Sequence, residues 1–162
     1  MSNKRNILVI GDFILDKYVR GNVKRISPES PSPVLEFKKC DYSLGGAGNV
    51  ASNLVDQNNN VYFLTVLGND FYSKISKKLL SNKIKKAFIF TQKIKTTLKT
   101  RFQMNNHQFL RLDEEEKLKL NKNSLYKIKK KIFSFKNIHA IYIADYDKGL
   151  ITAPLVNYIK KY

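Results

Sequence analysis

In 162 residues, 43% hydrophobic and 12% aromatic, the chain holds enough apolar material for one packed domain and too much for a disordered one. Its single cysteine excludes an internal disulfide and fits a reducing compartment; no apolar run nears the roughly 18 residues of a membrane helix, and polar Met1–Asn6 leads into an apolar run too short for a signal peptide. Thirty Lys and Arg against thirteen Asp and Glu give a net charge of +17, so the expectation is a soluble, cytoplasmic, basic α/β or α+β domain without a membrane partner.

The apolar run Ile7–Ile10, closed by Gly11-Asp12, predicts a strand buried on both faces and ending in a turn. Tyr18–Arg25 reads as an edge strand, Ile26–Pro33 with three prolines as a loop, and Val34–Tyr42 as a strand. Behind the Gly-rich turn Leu44–Gly48, residues Val50, Ala51, Leu54 and Val55 recur at helical spacing until Asn58–Asn60. Val61–Leu67 predicts a second buried strand, Phe71–Leu80 a helix and Ala87–Phe90 a strand. Thr96–Met104 and Phe109–Leu112 form a possible hairpin about Asn105-Asn106. Leu125, Ile128, Ile132 and Phe133 mark a helix, Ile138–Ala144 a strand, and Thr152 the cap of a last helix. Such alternation argues for an α/β domain with a mostly parallel sheet.

The charge raises the question of a nucleic-acid partner. Yet 25 of the 30 cations are Lys, scattered along the chain, and Asn (16) and Ile (15) are abundant with them, as A/T-rich coding would produce. A nucleic-acid groove needs a contiguous basic stripe with stacking aromatics. The aromatics Phe63, Phe88, Phe90 and Tyr142 sit in predicted strands and read as core. A nucleic-acid-binding protein is therefore the lesser alternative.

Three stretches stand where chemistry belongs in such a fold, just past strand ends. Gly45-Gly46-Ala47-Gly48-Asn49 precedes a helix; small residues admit close backbone approach and a helix start favours anions. It is neither a Walker loop nor a Gly-x-Gly-x-x-Gly turn. Asp12 and Asp16 could accept hydrogen bonds from sugar hydroxyls, or else cap a turn and pair with Lys17 or Arg20. In Asp145-Tyr146-Asp147-Lys148-Gly149, Lys148 could reach a phosphate and Asp145 a hydroxyl, or the segment is a polar turn with Gly149 at positive φ. His107 and His139 lack partners at ligand spacing, so no metal site is expected. Cys40 reads as a bystander, Arg111-Leu112-Asp113 as a surface ion pair, and Asp113–Glu116 as a solvated acidic turn.

Taken together these stretches resemble the ribokinase-like (PfkB) carbohydrate kinases. Ile7–Asp16 resembles their opening strand and Gly-Asp-x-x-Leu-Asp turn. Arg25-Ile-Ser-Pro-Glu-Ser-Pro-Ser-Pro-Val34 is more specific: it resembles a stretch of the D-glycero-β-D-manno-heptose 7-phosphate kinases, whose domain forms the first part of a bifunctional kinase/adenylyltransferase. Gly45–Ala51, Thr96–Arg101, Leu110–Asp113 and Asp145–Gly149 follow in that family's order. The resemblance implies a three-layer α/β/α sheet with a small β lid from residues 18–43 and 96–112, and transfer of the ATP γ-phosphate to C1 of heptose 7-phosphate in ADP-heptose and lipopolysaccharide-core biosynthesis. It implies Asp12 and Asp16 on sugar hydroxyls, Gly45, Gly46 and Asn49 lining the sugar pocket, Arg101 and Lys148 facing the sugar phosphate, and Asp145 at the pocket's edge.

One departure bears on activity. Family members carry, beyond this length, an Asn-x-x-Glu motif tied to magnesium and a Gly-Ala-Gly-Asp motif whose Asp is the general base; neither occurs in these 162 residues. The expectation is thus the N-terminal, sugar-binding half (1–162) of a C-terminally truncated kinase domain. It would lack a catalytic residue of its own and the ATP and Mg2+ motifs, and be inactive or incomplete alone. The alternatives are a sugar-phosphate-binding remnant and one subunit of a split kinase. A homodimer through the lid, or a completing kinase half, is the expected protein partner.

Overall fold

The computed structural model describes residues 4–91, 94–105 and 107–161. In chain order its elements are β1 (Asn6–Gly11), β2 (Phe13–Ile26), β3 (Pro33–Gly45), α1 (Gly46–Asp56), β4 (Asn60–Gly68), α2 (Phe71–Leu79), β5 (Lys85–Thr91), β6 (Leu98–Met104), β7 (His107–Glu114), α3 (Lys122–Phe133), β8 (Ala140–Ala144) and α4 (Ala153–Ile159). They build two four-stranded sheets.

The first sheet has the order β5-β4-β1-β8 and every pair in it is parallel. Its central strand explains the unbroken apolar run. Ile7 and Val9 point into one core with Ala47, Ala51, Leu54 and Val55 of α1, while Leu8 and Ile10 point into a second core with Ile128, Ile132, Leu155 and Ile159 of α3 and α4. A strand covered on both faces has no polar side to show, so period-two alternation disappears. The result is three layers, helix on sheet on helix. Two helices start on capping side chains: Asp70 accepts from the Ser73 amide at 2.8 Å, and Asn121 from the Ser124 amide at 2.8 Å. Both carry lysines in the last turn, where they oppose the helix dipole. Thr152 stands at the N-cap position of α4, but no side-chain bond caps that helix.

The second sheet has the order β3-β2-β6-β7, with β2 antiparallel to β3, parallel to β6, and β6 antiparallel to β7. Its base is docked to the body through Leu15 and Leu98, both buried in the first core. Above that base the sheet is two-faced. Cross-strand neighbours share a face, and the row Cys40–Val19–Phe102–Leu110 is apolar, whereas the row Asp41–Tyr18–Arg101–Arg111 is charged.

Several expectations need correction. The strand expected at 18–25 as an edge starts at Phe13 and lies inside its sheet; the edges are β3 and β7. Pairing with β6 was invisible because parallel partners lie far apart in sequence. The helix expected from Leu125 begins at Lys122, one turn earlier, because Asn121 caps it. Asp113–Glu116 is solvated at Glu114–Glu116 as expected but is not a turn: Asp113 and Glu114 end β7. Phe63 is buried and Phe88 packs against the same core, but Tyr142 is 48% exposed, because no helix covers β8 as α1 covers β1. The side chain of Phe90 and residue Asn106 of the expected turn lie outside the described residues; Asn105 has φ 48°.

Candidate functional site

The site is organised around Asp12, in the single-residue gap between β1 and β2. Parallel pairing puts Gly11 level with Ala144, so the ends of β1 and β8 are side by side. The Asp12 amide donates to the Ala144 carbonyl at 3.0 Å, and the Asp12 carbonyl accepts from the Ala47 amide at 3.0 Å. Its side chain is 4% exposed and accepts three more amides: Oδ2 from Tyr146 at 2.9 Å and Lys148 at 3.1 Å, Oδ1 from Leu150 at 3.2 Å. One residue thereby ties together the end of β1, the start of α1 and the whole 145–150 loop. The Thr65 hydroxyl adds β4 by donating to the Gly11 carbonyl at 2.7 Å.

Glycine is required where these chains meet. A Cβ on Gly11 would lie 2.3 Å from the Ala144 carbonyl oxygen. Gly46 has φ +51°, and a Cβ there would lie 2.5 Å from the Asp12 carbonyl oxygen. A Cβ on Gly45 would meet the Asp16 carboxylate at 2.5 Å. The turn expected at Leu44–Gly48 is absent, because Gly45 ends β3 and Gly46 starts α1, and this direct junction is what allows close approach to Asp12 and Asp16.

The remaining sequence candidates fall into two sets. Asp16 lies in β2, not in a turn, and its Oδ1 takes Arg101 NH2 at 2.7 Å, with the two side chains 13% and 21% exposed. Its partner is neither Lys17 nor Arg20; Arg20 pairs with Asp41. The guanidinium carbons of Arg20 and Arg101 lie 5.2 and 5.9 Å from the centre of the Tyr18 ring. Asn49 and Asp145 are exposed. Asp145 accepts from the Asp147 amide at 2.9 Å, so the loop is also the polar turn considered above, with Gly149 at φ +92°. Asp12, Gly46 and Lys148 are brought together; Arg101 stands on the second sheet with Asp16.

Lys148 lies in the loop held by Asp12, and its Nζ is 2.8 Å from Glu115 Oε2. Lys99 Nζ is 3.4 Å from the same oxygen and 2.6 Å from Asp113 Oδ2, and Arg111 Nε is 2.8 Å from Asp113 Oδ1. The hydrogen bond from Lys148, with the nearby charges of Lys99 and Lys148, holds the Glu115 carboxyl below its usual value against partial burial. Burial pushes Asp113 up, but hydrogen bonds and charges from Lys99 and Arg111 together bring it below the ordinary value. Sequence reasoning missed Lys99 and Glu115. The signal was present: Arg111, Asp113 and Glu115 recur at period two, so a continued strand puts them on one face.

Comparison with known proteins now decides the family. Residues 4–150 match the model of the pfkB family of carbohydrate kinases. The chain belongs to that family. Among curated relatives, the bifunctional protein HldE of Helicobacter pylori strain HPAG1 is 40% identical over 154 residues, covering 91% of this chain and 32% of that protein. HldE of Helicobacter hepaticus is 36% identical over 166 residues, covering 99% and 34%. The chain thus spans about a third of the length of these relatives. Solved structures agree on the ribokinase-like fold. Phosphofructokinase-2 from Escherichia coli in complex with fructose-6-phosphate has a TM-score of 0.68 at 14% identity, over 98% of this chain and 51% of that one. Arabidopsis thaliana ribokinase complexed with ribose and ATP has a TM-score of 0.65 at 14% identity, over 98% and 51%.

Kinases of this family use ATP and Mg2+. Among the described residues no three His, Cys, Asp or Glu side chains come together in a way that could hold a metal ion. Nor is any helix among them long and apolar enough to cross a membrane.

Proposed function

We propose that this chain carries the sugar side of an ATP-dependent kinase acting on C1 of D-glycero-D-manno-heptose 7-phosphate. The observation that carries this reading is the convergence on Asp12 of the β1 end, the Gly45–Gly46 junction and the Lys148 loop. The identity of 36–41% to proteins named HldE supports the choice of sugar. In this reading the second sheet serves as the lid, with residues 18–43 and 96–112 as its strands. Asp12 keeps acceptor capacity beyond its three amides, since an ionised carboxylate offers about four lone-pair sites, and holds a sugar hydroxyl with it. Asn49, exposed and without a hydrogen-bond partner among the described residues, binds another. Gly45 and Gly46 let the ring approach the backbone. Asp16 orients Arg101, and Arg101 and Lys148 supply positive charge to the sugar phosphate. Asp145 borders the pocket. The apolar row of the second sheet receives the same row of a second copy, making a homodimer through the lid.

Phosphoryl transfer also needs a base, an anion hole and a held nucleotide. The Gly-Ala-Gly-Asp motif that supplies the first two in the resembling kinases is not among these 162 residues. A positioned base is worth about 10²–10⁴-fold and an anion-hole donor about 10²–10³-fold. These 162 residues by themselves should therefore bind the sugar phosphate weakly and turn nothing over. An ADP-release assay with ATP, magnesium and heptose 7-phosphate, beside calorimetric titration of the sugar, tests both parts. Turnover near ordinary kinase rates overturns the reading of an incomplete site; absence of any sugar-phosphate binding overturns the choice of substrate.

A further inference from the structure

Two ammonium groups converge on one oxygen beside the Asp12 loop. Lys148 Nζ lies 2.8 Å and Lys99 Nζ 3.4 Å from Glu115 Oε2. Both lysine side chains are largely covered, at 19% and 15% exposure, while Glu115 at 34% has a way out to water. Two shielded cations aimed at one point are the arrangement of an anion site, and here a carboxylate from the same chain fills it. We propose that Lys99 joins Lys148 in holding the phosphate of a phosphate monoester, and that Glu115 is the resident counter-anion of the pair, displaced when the phosphorylated ligand enters.

The backbone around the site stays fixed while the ammonium changes partner. The Lys148 amide is on Asp12 and its carbonyl accepts from the Leu118 amide at 2.8 Å. Gly149 packs so tightly there that a Cβ would lie 2.1 Å from the Leu118 carbonyl oxygen. Only side chains must move. A phosphate monoester brings about −1.5 to −2 charges and three acceptor oxygens against one charge on the carboxylate, so it satisfies both ammoniums at once. Lys99 stays partly neutralised by Asp113 at 2.6 Å, which leaves Lys148 as the group that gains most. Glu115 follows directly on β7, so its release also unfastens the second sheet from the 145–150 loop. Neutral sugars offer nothing to displace it, and the site discriminates against them. That the phosphate sits on a sugar rests on the function proposed above; the anion site does not.

The test titrates inorganic phosphate, heptose 7-phosphate and unphosphorylated heptose into the wild-type chain and into Glu115→Gln, Lys148→Met and the double variant. Glu115→Gln should bind inorganic phosphate about tenfold more tightly, because the competing charge is gone, and the double variant should lose that gain. In the wild type, saturating phosphate should raise the pH at which the Glu115 carboxyl carbon titrates, a readout that a purely structural strap would not move. Unchanged or weakened phosphate binding in a folded Glu115→Gln variant overturns the proposal. Should that variant not fold, an unmoved Glu115 titration in the wild type overturns it equally. Tightened phosphate binding with no affinity for heptose 7-phosphate in any variant upholds the anion site and removes the sugar.

Discussion

At Asp12 a carboxylate that spacing leaves between a turn cap and a sugar hydroxyl, and that the family resemblance assigns to the sugar, is first of all a structural hub. Removing it leaves three amides of the 145–150 loop without an acceptor, that of Leu150 buried and those of Tyr146 and Lys148 part-buried; a fully buried one costs about 1–3 kcal/mol. Asp12→Ala should therefore destabilise the chain by about 1–3 kcal/mol and abolish sugar-phosphate binding with it. Asn49→Ala should abolish the same binding while changing stability by less than about 0.5 kcal/mol, as an exposed substitution does. Urea unfolding set beside sugar-phosphate titration separates the two; a stable Asp12→Ala chain would refute the hub, and full binding by Asn49→Ala its place in the pocket. The importance of Asp12 was legible from its position after an apolar run. Its partners were not, because Tyr146, Lys148 and Leu150 lie more than 130 residues away and only the β1–β8 pairing brings them close.

At the scale of elements, the second sheet shows where pattern reading succeeds and where it stops. Leu98, Thr100 and Phe102 alternate with Lys99, Arg101 and Gln103, and that period of two was readable as a strand. Which face of it meets the body was not readable, since Leu15 and Leu98 are buried at its base while Leu110 and Leu112, on the same apolar side, are 53% and 50% exposed. A second copy docked on this apolar side gives these residues a partner. Leu112→Glu should then convert the dimer into a monomer in sedimentation, with the fold retained. A wild-type monomer at tens of micromolar concentration would remove the lid dimer. The Glu115 bridge escaped notice for a related reason: an acidic run beside a lysine-rich segment looks like a turn until the strand register brings Lys99 opposite Asp113.

For the whole molecule, the weak place is the β8 side of the first sheet. Among the described residues β8 pairs with β1 alone, and Tyr142 and Ile143, which point to opposite faces, are 48% and 41% exposed. A bare strand edge flanked by apolar side chains is a template for pairing with other chains. The isolated chain should be marginal, with stability below about 5 kcal/mol, and should aggregate on mild warming. Ile143→Lys should delay that aggregation seen by light scattering. A reversible, cooperative transition with stability at or above about 5 kcal/mol would show that the edge is already well protected.

The central place of β1 also fixes a timetable. Of the described strands this one is made earliest, yet its neighbours are Asn60–Leu64 on one side and Ala140–Ala144 on the other. At roughly 5–20 residues per second, synthesis leaves its second side open for roughly 7 to 27 seconds. Meanwhile β2 and β3 pair as a hairpin with short closure, a contact that forms early because its loop entropy is small. The β2–β3 hairpin thus folds before the first sheet is complete, and the Asp12 hub closes only when the 145–150 loop arrives to satisfy its carboxylate.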